Sequence, residues 1–110
     1  MSDAFDPERD HRIPHEKAAG LVKAFQSRTK AGEHRATTFN RSAFVHLLDQ
    51  PGAAGIRIYR ALREDGSHTM VLTAVDENGH DLATGKTTGD SVFVNSGHDC
   101  PPWCLPPTWL

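Results

Sequence analysis

The sequence predicts the α+β class: two N-terminal helices packed on a small antiparallel sheet, with extended N- and C-terminal tails. Apolar residues recur at helical spacing in two segments before residue 50. Two strand-like runs follow, at 55–62 and 69–75, separated by a Gly-containing turn. The two ends have neither period, being polar at one and proline-rich at the other. A chain of 110 residues has room for one core, and an apolar fraction of 37% leaves part of the sequence outside it. The expected organisation is a flexible arm over 1–12, a single α+β domain over 13–95 and a Pro/Trp/Cys tail over 96–110.

Each element has a local reason. Asp3, Asp6, Glu8, Arg9, Asp10 and Arg12 surround one Phe5 with no apolar period, which describes an arm. Pro14 suits a first helical turn, and Ala18, Leu21, Val22 and Phe25 then form one stripe of a helix over 15–28. Residues 29–38 are polar and read as a connection. The second helix starts at an Asn40 cap, with Phe39 and Phe44 placed as a hydrophobic staple, and Pro51-Gly52 stops it after Gln50. Phe44, Leu47 and Leu48 are its expected buried stripe. In the first strand Ile56, Ile58 and Leu62 alternate with Arg57, Tyr59 and Ala61, and Arg60 interrupts the apolar side. A turn at 64–67 leads to the second strand, a further turn follows at Asp76-Glu77-Asn78-Gly79, and Ser91 to Val94 is the last expected strand. Beyond it Pro101, Pro102, Pro106 and Pro107 favour extended, polyproline-like geometry.

Charge and composition narrow the functional classes. Lys+Arg 12 against Asp+Glu 14 gives a net charge of -2, with no basic face that would hold a phosphate backbone, so nucleic acid is not an expected partner. The last third is acidic, with Lys86 alone against Asp76, Glu77, Asp81, Asp90 and Asp99. No apolar stretch reaches membrane-spanning length and residues 1–10 do not have the pattern of a secretion signal, so the expected location is the cytoplasm. There, paired cysteines are more often thiols or metal ligands than stable disulfides.

The stretch LLDQPGAAGIRIYRALREDGSHTMVLTAVDENGHDL, with CPPWC near the end, resembles an uncharacterised family of small bacterial proteins. That family combines a helix ending in QPG, a GIRIY strand, a hairpin, a VD-x-x-G-x-DL turn and a terminal CPP-aromatic-C motif. The resemblance implies no catalytic residue. Relatives also carry cysteine after QPG, where this chain has Ala53.

Three groups are candidate sites. His98, Cys100 and Cys104 offer three soft ligands of a tetrahedral zinc. The other readings of the same two cysteines are a disulfide or a pair of thiols. Asp76, Asn78 and Asp81 offer oxygen ligands for calcium across a turn, but Asx-Gly sequences form turns of their own accord, and the expected role there is structural. Arg57 and Tyr59, with Arg63 near the strand end, share one side of the first strand, which would take a carboxylate or the acidic tail of another copy, or else is a solvated sheet face. Trp103 and Trp109, stiffened by Pro101 and Pro102, form a recognition segment or fold back over the open face of the sheet. The leading expectation is a non-enzymatic protein-interaction or self-assembling module, docking through this tail on a protein partner or another copy in a homo-oligomer. The alternative is a thiol-dependent metal-binding or redox-switch protein using Cys100 and Cys104, and a small enzyme ranks third.

Overall fold

Helix α1 (His15–Gln26) follows Pro14, whose extended backbone makes it the N-cap residue and not part of the first turn. Its stripe is small: Ala19 is its buried residue, while Leu21 is 59% and Phe25 53% exposed. Strand β1 (Ala36–Thr38) lies within the segment expected to be a connection. Helix α2 (Arg41–Leu48) then begins as its sequence signals require. The Asn40 side chain accepts from Ala43 N at 3.0 Å, and the Phe39 and Phe44 rings meet edge to face with centroids 6.5 Å apart. The computed structural model describes residues 4–83, 93–105 and 107–110.

Strands β2 (Gly55–Leu62) and β3 (His68–Val75) form an antiparallel hairpin in the register Gly55↔Val75 to Leu62↔His68, and β4 (Phe93–Val94) joins the other edge of β3. Residues 91 and 92 of the expected last strand lie outside the described residues. Ile56, Ile58, Arg60, Met70, Leu72 and Ala74 share one face, because partners across the ladder point the same way. Leu47, Leu72 and Ala74 form the buried core where α2 covers one end of that face, with Phe39, Ala53, Ile56, Met70, Leu82 and Val94 packed around them. The other end of the face is not covered by α2.

A second sheet pairs β1 with β5 (His98–Cys100) in the register Thr37↔Asp99. This corrects the expected architecture. The class is α+β, but α2 is the helix that packs on the three-stranded sheet, and the helices are separated by a strand that belongs to a different sheet. α1 buries too little to pin it to that sheet, since its inward residues include small Ala18 and Ala19. β1 spans three residues, too few to show a period, and its partner lies about sixty positions away. The sequence from 96 is likewise not wholly extended: β5 leads into a turn in which Trp103 N donates to Asp99 O at 2.8 Å.

Two glycines mark where backbone approaches closely. A Cβ on Gly97 would lie 2.5 Å from Thr37 Cγ2 and 2.8 Å from Phe39 Cζ, so only glycine lets the chain enter β5 against β1. At Gly79, with φ +83°, a Cβ would lie 2.7 Å from Phe5 Cβ. Phe5, placed by its sequence in a flexible arm, is partly buried over Gly79 and Gly55. Among the described residues, no helix is long and apolar enough to cross a membrane.

Candidate functional site

The two sheets face each other across a cleft of about 1190 Å³. Ile58, Arg60, His68, Met70 and Leu72 from β2 and β3 make one wall. Residues of β1, with Phe39 and with Phe44 of α2, make the other, and Phe25 of α1 and the 32–35 segment complete the lining. The apolar lining is the continuation of the core face beyond the reach of α2, which is why Ile58 is 57% exposed despite its place in the alternation.

A polar cluster closes one end. The Asp99 side chain, 11% exposed, accepts from Arg63 Nη2 at 2.7 Å and from Thr37 Oγ1 at 2.7 Å. Arg63 also donates to the His68 carbonyl at 2.9 Å and to Ser67 Oγ, so it ties the β2–β3 turn to β5. Burial pushes the Asp99 carboxyl up, but the hydrogen bonds from Arg63 and Thr37, with the charge of Arg63 and the nearby His34 ring, outweigh it and leave the group below its ordinary value. An ionised carboxylate only accepts, so Thr37 donates to it and must in turn accept from His34 Nε2, 2.7 Å away. The hydroxyl proton is thus directed at Asp99. That reverses the order of a hydroxyl nucleophile, whose proton goes to the imidazole. The His34 and His68 rings stack with centroids 6.4 Å apart.

No family model, curated protein or solved structure matches the chain. The roles of these residues therefore rest on their own geometry.

Of the residues singled out in the sequence, Arg57 and Tyr59 do share one side of β2, but their anion is supplied within the chain. Arg57 Nη1 donates to Asp81 Oδ1 at 2.9 Å, Tyr59 donates to Asp81 Oδ2, and Arg57 Nη2 donates to the Gly79 carbonyl at 2.7 Å. Cys100 and Cys104 stand at disulfide distance. His98 does not join them: its ring tilts against Trp103 with centroids 4.9 Å apart, and no group of three His, Cys, Asp or Glu among the described residues is placed to hold a metal ion. Pro101 and Pro102 turn the chain inside the Cys100–Cys104 loop and display Trp103, which is 63% exposed. Trp109 returns to α1, where His15 Nε2 meets its carbonyl and the rings lie 6.0 Å apart.

The cluster of His34, Thr37, Arg63 and Asp99 was not expected. Asp99 reads in the sequence as a neighbour of Cys100 and a candidate fourth zinc ligand, and His34 as one of seven scattered histidines. The legible signal was Arg63, read as a carboxylate-binding residue beside Arg57 and Tyr59, and its carboxylate is Asp99 of the same chain.

Proposed function

We propose that the protein is a non-enzymatic interaction or self-assembling module that docks through its C-terminal tail. The observation that carries this reading is the display of Trp103 on the Cys100–Cys104 loop, followed by an exposed Leu105. A tail that served only to cover the sheet would bury these side chains. Instead, Pro101 and Pro102 fix a loop whose aromatic anchor loses little entropy on docking, and each such anchor contributes about 2 kcal/mol or more when buried by a partner. The partner is a protein or another copy of the chain, and the cytoplasm is the location that fits the sequence. The test is sedimentation velocity over a concentration series, together with crosslinking and mass spectrometry of the purified chain in its host lysate. Trp103→Ala with Trp109→Ala should reduce self-association or remove specific crosslinks from the tail. Unchanged sedimentation and crosslinks in that variant would overturn the reading.

The pairing of Cys100 with Cys104 supports a second reading, a thiol–disulfide switch. Oxidation of the two thiols releases two protons and passes two electrons to a disulfide acceptor such as oxidised glutathione, and stable disulfides are uncommon in the cytoplasm. In that case Cys100→Ser with Cys104→Ser removes the response of association to reductant, whereas the aromatic variant retains the thiol chemistry.

A further inference from the structure

We propose that the cleft between the two sheets is a binding site for a small amphipathic anion, a carboxylate on an aliphatic or aromatic body, with Arg60 as the group that takes the carboxylate. Single exposed apolar side chains are ordinary, but Phe25, Phe44 and Ile58 are all exposed and all line this one cleft. Arg60 stands beside Ile58 on the same face of β2 and opposite Met70, so its guanidinium lies at the edge of an apolar wall. Of the two carboxylates lining the cleft, Asp99 is already held by Arg63 and Thr37. Among the described residues the Arg60 side chain makes no hydrogen bond or ion pair, and neither does that of Arg35, also in the lining. The charged lining is Arg35, Arg60 and Arg63 against Glu33 and Asp99, an excess of one positive charge before either histidine is protonated.

Size selects the class of ligand. Small-molecule pockets run to roughly 1,000 Å³, and this cleft of about 1190 Å³ admits an alkyl chain or a pair of rings but not a folded partner. An apolar body against Phe44, Ile58 and Met70, with its anionic end on an arginine, satisfies both halves of the lining at once. The site does not involve Trp103 or Trp109, so it stands independently of docking by the tail.

Isothermal titration calorimetry with decanoate and with decanol, both below micelle-forming concentration, tests this on the full chain. Amide shifts mapped by NMR locate the ligand. Decanoate should bind with perturbations at Thr37, Ile58 and Met70, and decanol should bind at least about tenfold more weakly, as expected for loss of a charge-assisted hydrogen bond. Arg60→Gln should weaken decanoate by about tenfold and leave decanol unchanged, while Trp103→Ala should alter neither. Absence of decanoate binding, equal affinity for decanol, or an unaltered affinity in Arg60→Gln would each overturn the proposal.

Discussion

Asp99 takes hydrogen bonds from β1 and from the end of the β2–β3 hairpin, so one negative charge holds β5 to two other elements. The pH dependence follows from the direction of its shift. Its folded-state value lies below the ordinary one despite the opposing effect of burial, so the unfolded chain binds the proton more readily. Stabilisation by Asp99 is therefore complete above the ordinary aspartate range, about 3.9, and disappears as pH falls through the lower folded value. Asp99→Asn keeps the shape and removes the charge. It should be less stable than the parent by about 1–2 kcal/mol near neutral pH, and the gap should close in acid. Urea unfolding of both proteins over a pH series checks this, since Asp65 and Asp76, also lowered, contribute equally to each and cancel in the difference. A gap that does not change with pH would assign the effect to packing instead of charge. Arg63 could be read as a carboxylate-binding residue, but its pairing with Asp99 could not, because Thr37 and Arg63 lie 62 and 36 positions from Asp99 and hydrophobic periodicity registers only near neighbours.

At the scale of elements, several features set by near neighbours are present as the sequence predicts, although Pro14 caps α1 instead of entering its first turn and both helices end two residues early. The Asn40 cap, the Phe39–Phe44 staple and the β2–β3 alternation arise within a few residues, and each is present. Burial is different. Phe44, Leu47, Leu48 and Ile58 all fit buried positions by spacing, yet Leu47 alone among them is fully enclosed, because α2 is only eight residues long and covers only one end of the sheet. The stability of α2 against the sheet should therefore concentrate on that residue. Leu47→Ala should cost about 2–5 kcal/mol, through lost transfer energy and the cavity left between Leu72 and Ala74. Ile58→Ala should cost less than about 1 kcal/mol, since most of that side chain is already in contact with water. Chemical unfolding of the two variants decides it, and equal losses would mean that the open end of the sheet is as tightly packed as the covered end.

The molecule as a whole is expanded for its length, with a radius of gyration of 16.0 Å against about 13 Å for a compact chain of this size. The three-stranded sheet with α2 holds the core, while the β1–β5 sheet stands across the cleft from it, tied to the β2–β3 hairpin by Asp99 and Arg63. A structure arranged in this way should open in two steps, because a sheet of two three-residue strands contributes no residue to the buried core cluster. Gly97→Ala separates the steps. The added methyl must displace Thr37 or Phe39, so the entry to β5 is disturbed while the β2–β3 ladder is not touched directly. Native-state hydrogen exchange should then show the amides of Ala36–Thr38 and His98–Cys100 losing protection in the variant, with those of Val71–Val75 remaining slow. Equal loss of protection in both sheets would mean that the chain unfolds as one cooperative unit, with the cleft no weaker than the core.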